Sequence, residues 1–219
     1  MRPHIKRIYM VWRAGRSHRR IVVGEIKSNA SSTTFRYIKD GVEEAKCAGF
    51  ICYPDFPDTN KVYNTNILRI LSQRLNNAER TDIADYYDFW QISKKETDSV
   101  LRVLSHTSGI LPTDNFEFLA DFYGAKGLSL VTELTGLSNN PLANDSIIEG
   151  DILDWRYEPA NEYDKYAVAV YKNDKKLGYI KKIHSHVFYR KGSSRLCLTV
   201  KLIEHNGHIN KAFLSVDYL

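Results

Sequence analysis

The sequence predicts an α+β protein of two domains: a small sheet with several helices over residues 1–124, then a small β-barrel with one helix over residues 125–219. Three features carry that expectation. β-Branched and aromatic runs open the chain, and amphipathic segments of helical period follow them. From Leu128 the pattern changes to alternation of apolar and polar residues. Between the two regions lies Asp121–Gly127, DFYGAKG, whose glycines and broken periodicity mark a boundary.

In the first region IYMVWR and RIVVGEI read as strands joined by the basic turn AGRSHR, and TTFRYI reads as a third. GVEEAKCAGF predicts a brief helix closed by Gly49, since glycine takes the left-handed conformation at little cost. The two prolines of CYPDFPD make that stretch a loop. KVYNTNILRILSQRL places Val62, Ile67, Ile70, Leu71 and Leu75 near one helical face. Thr81 is the expected cap of DIADYYDFWQI, and Thr97 or Asp98 that of SVLRVLSH. The tyrosines and tryptophan of these helices are expected to serve as packing.

In the second region LSLVTELTGL, DILDWRY, YAVAVY and LCLTVKLIEH alternate as half-buried strands do. Asn206-Gly207 predicts a hairpin into KAFLSVDYL, and KKIHSHVFYR is the one expected helix. Short antiparallel strands with one helix point to a small barrel.

Composition excludes several classes. With 43% hydrophobic and 26% charged residues the chain is neither disordered nor collagen-like. Ile8–Trp12 is too short for a membrane span or a signal core. Cys47, Cys52 and Cys197 are three in number and form no C-x-x-C, so a reduced, cytoplasmic protein is expected. The net charge of +5 is unevenly spread. Residues 1–27 carry eight Lys and Arg against Glu25; Glu133–Asp164 carries eight acids against Arg156; Lys165–Lys211 carries eleven Lys and Arg against Asp174 and Glu204. Two basic stretches suit a polyanion, although charge runs are more often solvated faces.

Catalytic motifs are missing. The sequence has no phosphate-cradling G-x-x-x-x-G-K-[ST], no kinase H-R-D or D-F-G, and no G-x-S-x-G. His184, His186, His205 and His208 lack the framing of a metal site, and the carboxylates show no facing pair. No cofactor or metal is expected. What remains is a binding constellation: Tyr163 beside Asp164, then Lys181 and Lys182 after Gly178-Tyr179, with Arg190, Lys191 and Arg195 beyond. Rings with interleaved cations suit single-stranded nucleic acid, and Asp164 would then accept a sugar hydroxyl. Equally, Asp164 ends a turn by bonding backbone amides and Tyr163 plugs a barrel end.

The stretch EPANEYDKYAVAVYKNDKKLGYIKK, Glu158–Lys182, resembles the core motif of the HIRAN domain, a module of fork-remodelling helicases and small bacterial proteins. Glu158-Pro159, Asn161, Tyr163-Asp164, Ala167-Val168, Val170 and Leu177–Ile180 fit its pattern, and the likeness spans Leu128–Leu219. The resemblance implies an OB-like barrel that grips a DNA 3′ end. It would give Tyr163 a base to stack on, Asp164 the terminal hydroxyl, Lys182 a phosphate and Phe213 a supporting role, with Tyr179 lining the pocket. Where the family has an aromatic pair completing the stacking sandwich, this chain has Glu133-Leu134.

The N-terminal strands, with AGFICYPDFPDTNKVY and LSQRL, are similar to the N-terminal subdomain of HipA-type toxin kinases, without the kinase part. That likeness implies protein interaction. The expected function is therefore a non-enzymatic, bacterial-type protein binding single-stranded DNA or DNA ends through Tyr163, Asp164, Tyr179, Lys181, Lys182 and Phe213, with no membrane association. The alternative is a regulatory partner of a separate kinase or nuclease, the barrel serving as scaffold.

Overall fold

The computed structural model describes residues 5–15, 18–77, 79–137 and 140–219. Arg2, and Arg16 and Ser17 of the expected basic turn, lie outside them. The chain forms two compact units, one of Ile5–Asp121 and one holding Phe122–Leu219. No helix among the described residues is long and apolar enough to cross a membrane.

In the first unit the order is β1 (Ile5–Trp12), β2 (Ile21–Ser28), β3 (Thr33–Tyr37), α1 (Lys39–Lys46), β4 (Val62–Tyr63), α2 (Ile67–Ser72), α3 (Ile83–Phe89), α4 (Val100–Thr107) and β5 (Phe116–Phe122). The sheet runs β4-β3-β2-β1-β5. Ile8, Met10, Ile26 and Phe35 are buried, as alternation on β1–β3 requires. The proline-bearing loop contributes to the core: Phe56 stacks on Phe35 at 4.3 Å, and Tyr37 donates to the Phe56 carbonyl at 2.6 Å. Burial pushes the Tyr37 phenol well above its ordinary range.

Several expectations on the helices are corrected. Val62 belongs to β4 and is exposed. Asn66 takes a left-handed φ of 58°, so no helix runs through it and α2 starts at Ile67. Neither Thr81 nor Thr97 or Asp98 caps a helix. Asp82 precedes α3, its carboxylate held by Arg80 at 2.7 Å rather than by the helix amides. Ser99 caps α4, accepting from the Arg102 amide. α3 buries no residue fully, so its rings pack only partly. Gly49 does follow α1 with φ 94°. β5 was absent from the sequence reading: all seven of its residues are buried, so no alternation betrays it, and it takes in the first residues of the expected boundary segment.

The second unit contains β6 (Ser129–Thr135), β7 (Asp154–Tyr157), β8 (Val168–Lys172), β9 (Lys175–Ile180), β10 (Leu196–His205) and β11 (Ile209–Tyr218). Its sheet runs β10-β11-β6-β9-β8-β7 and curls into a partly closed barrel. The chain just before β7 completes the curl by bonding β10: the Gly150 and Leu153 amides donate to the Val200 and Leu198 carbonyls, at 2.8 and 2.9 Å, and the Val200 amide donates to the Asp151 carbonyl at 2.8 Å. β6 meets β9 through only two register pairs, Leu134↔Ile180 and Thr135↔Tyr179. The expected helix is of the tighter 3-10 kind, His184–Tyr189. Its Phe188 is fully buried, with Trp155 of β7 5.0 Å from it. Asn206-Gly207 makes the β10–β11 hairpin, where Gly207 has φ 74°.

Candidate nucleic-acid interface

The connection from β7 to β8 is built by its own polar side chains. The Glu158 amide donates to the Ala167 carbonyl and the Asn161 amide to the Glu158 carbonyl, both at 3.0 Å. Asn161 Oδ1 then accepts the amides of Tyr163 and Asp164, at 2.9 and 3.1 Å, which is an Asx turn. Asp164 Oδ1 accepts the Tyr166 amide at 2.9 Å. Asp164 is thus a turn residue through one oxygen, while Oδ2 receives no hydrogen bond from the described residues. The turn turns the Tyr163 ring outward, leaving it 67% exposed.

Beneath this corner lies a charged network. Tyr179 donates from its hydroxyl to Glu158 Oε2 at 2.9 Å, and Lys176 Nζ donates to Glu158 Oε1 and to the Tyr179 hydroxyl, each at 2.6 Å. The ammonium also sits 4.2 Å from the centre of the Tyr179 ring. Burial opposes ionisation of Glu158, but the bonds from Lys176 and Tyr179 outweigh it and hold the carboxyl below its ordinary range. A depressed carboxyl pKa stabilises the fold above the unfolded value, about 4.3, and that contribution disappears as pH falls through the folded value. Glu158→Gln is therefore expected to flatten the acid limb of the stability profile of the full chain below about pH 4.3, measured by denaturant melts at stepped pH.

Gly136, Asn161, Glu162, Tyr163, Lys176 and Tyr179 line an open recess of about 770 Å³. Register places the other expected residues. Tyr179 lies opposite Thr135 and Phe213 opposite Glu133, so Tyr179, Lys181, Glu133 and Phe213 share one face of the sheet. Phe213 is 9% exposed, with Lys211 Nζ 4.5 Å from its ring centre. Lys181 is only 4% exposed and pairs with Glu133 at 3.2 Å, so it is buried against an acid rather than presented to solvent. Lys182 is half-buried. Tyr163 and Tyr179 therefore meet at the recess, whereas Asp164, Lys181, Lys182 and Phe213 are not among its walls. Glu158 and Lys176 had no role in the sequence reading, although both lie in the motif; an Asn two residues ahead of Tyr163 was the available signal for the turn. Of the histidines, His184 is buried and shares a hydrogen bond with Thr132 at 2.9 Å, and His205 one with Asn144 at 2.9 Å.

A curled antiparallel sheet with a ring-bearing corner over a polar recess defines a small barrel-type module. Residues 128–208 match the family model of the HIRAN domain. Among solved structures the chain is similar to the HIRAN domain of human HLTF, at 20% identity and a TM-score of 0.34, over 41% of this chain and 74% of that one. No curated protein matches the sequence. The likeness of the N-terminal residues to the HipA-type subdomain finds no support in these comparisons.

Proposed function

We propose that the HIRAN domain of this chain binds single-stranded DNA or DNA 3′ ends at the Tyr163 corner, and that it does so without catalysis of its own. The carrying observation is the exposed Tyr163 ring held on an Asx turn inside the family-matched segment, with Asp164 Oδ2 still able to accept a hydroxyl. Tyr163 offers one stacking surface and Tyr179 a wall, while Lys182 is the phosphate-binding candidate. Phe213 supports the sheet beneath. Lys181 acts indirectly in this reading, by neutralising the Glu133 that stands in place of the family's aromatic pair.

Half of the acidic stretch, which favoured a protein partner, is committed inside the unit. Glu133 pairs with Lys181, Asp151 with Lys172 and Glu158 with Lys176. Glu149 accepts the Ile203 amide. These are four of the eight acids of the stretch; Glu162, by contrast, lines the recess itself.

The test is fluorescence polarisation at low salt with 3′-hydroxyl, 3′-phosphate and duplex oligonucleotides. The 3′-hydroxyl single strand is expected to bind best, and Tyr163→Ala with Asp164→Ala to weaken it by roughly 10–100-fold, a lost stack and a lost hydrogen bond. Unchanged affinity in the double variant would sink the site.

A further inference from the structure

A second group of rings lies on the same unit, outside the recess. Tyr157 and Tyr166 are 45% and 38% exposed. Tyr189 joins them, with ring centres 4.5 Å from Tyr157 and 5.4 Å from Tyr166. Tyr166 also meets His186 at 4.7 Å, and Trp155 meets Tyr157 at 5.3 Å. Core packing does not account for this strip, because two of its members face solvent.

The rings are held rigidly. Tyr157 donates to the Phe188 carbonyl at 2.6 Å, and Tyr189 donates to the Ala167 carbonyl at 2.9 Å. Two of the hydroxyls are thus fixed to backbone, and the ring planes are set before any ligand arrives, which lowers the ordering cost of binding.

Cations accompany the strip. Lys165 Nζ lies 5.2 Å from the Tyr166 ring centre, and the Arg190 guanidinium 4.9 Å from that of Tyr123, itself 43% exposed. Lys191 and Arg195 are exposed, on the segment whose Ser193 shares a hydrogen bond with Tyr157 at 3.1 Å. The acids that reach Tyr189 electrostatically are Asp164 and Glu158, and Glu158 is already paired with Lys176. The balance favours an anionic partner.

We propose that Tyr166, Tyr189 and Tyr157, flanked by Lys165, Lys191 and Arg195, form a second stacking track that carries a single-stranded nucleic acid onward from the Tyr163 corner. Charge complementarity and continuity argue for this occupant: Tyr163 and Tyr166 stand three residues apart in one turn, so the track begins beside the corner. Exposed rings bordered by cations accept any base while the cations hold the phosphates. The inference rests on the nucleic-acid reading above and lengthens its footprint.

The full chain is titrated by fluorescence polarisation with oligothymidylates of about 3 and about 12 nucleotides. The longer one is expected to bind tighter, and Tyr166→Ala to weaken the longer one by about tenfold while leaving the shorter unchanged. Tyr166→Phe keeps the gain. Lys191→Glu with Arg195→Glu, exposed positions with no packing role, is expected to cost about tenfold on the longer strand and to make its salt dependence shallower. Thermal melts of each variant matching the parent confirm that the fold is intact. If both lengths bind equally, or Tyr166→Ala binds the longer strand like the parent, the track is wrong and the Tyr163 site stands. If the longer strand binds through Tyr166 but Tyr163→Ala changes nothing, the corner site is wrong and the track stands. Absence of binding to either strand overturns both.

Discussion

Arg74→Ala is expected to destabilise the N-terminal unit by about 2–3 kcal/mol, because it removes a buried guanidinium and leaves two carbonyls and the part-exposed Asp114 without their donor. The Arg74 side chain is 2% exposed and spends its guanidinium on Asp114, at 2.7 and 3.0 Å, and on the carbonyls of Gly109 and Phe116, at 2.8 and 3.2 Å. It lies 5.0 Å from the centre of the Phe118 ring and 5.7 Å from that of Tyr53. One side chain therefore ties the end of α2 to the start of β5 and to the turn after α4. Burial alone would raise the Asp114 carboxyl, yet the Arg74 bonds and the Phe116 amide hold it below its ordinary range. Arg74→Lys is also expected to fail, since an ammonium cannot reproduce the planar fork. Urea unfolding of the full chain checks both; a midpoint within error of the parent for Arg74→Ala would show that the network contributes nothing.

Gly178→Ala is expected to damage stability and binding together. A Cβ at this position would meet the Thr135 carbonyl oxygen at 2.4 Å and Leu134 Cδ1 at 3.2 Å. The first of these is backbone and cannot rotate away. Gly178 also directly precedes Tyr179 and Ile180, whose two register pairs join β6 to β9, so relief of the clash means parting that seam. Overpacking of this kind costs about 1–3 kcal/mol, and the upper end is expected here. Because Tyr179 follows directly, the Glu158–Lys176–Tyr179 network shifts with the seam, and oligonucleotide affinity falls as well. A variant that melts like the parent and binds like it would show that β6 and β9 part without consequence.

The parts of the fold that were legible are those whose burial differs between faces. LCLTVKLIEH coincides with β10 because Leu196, Leu198 and Val200 point inward while their neighbours do not. β5 was invisible for the opposite reason: Phe116–Phe122 is covered on both sides, Glu117 and Asp121 included, and period-2 patterning vanishes. Helix limits were misjudged where a side chain chose a competing partner, as Asp82 does with Arg80, or where Asn66 took a left-handed backbone. At the site, the exposed tyrosine and its turn were readable from the spacing of Asn161, Tyr163 and Asp164. The pairing of Lys181 with Glu133 was not. It joins the residue just after β9 to β6, and only three-dimensional proximity turns an apparent phosphate ligand into the counter-ion of an acid.

The chain just ahead of β7 has one more effect. By taking the Leu198 and Val200 carbonyls and the Val200 amide, while Glu149 takes the Ile203 amide, it occupies main-chain groups in the middle of β10 that an added strand would need. A partner peptide cannot enlist there by β-augmentation, and neither can a second copy of the chain. Along this edge, recognition therefore goes through side chains rather than through main-chain pairing.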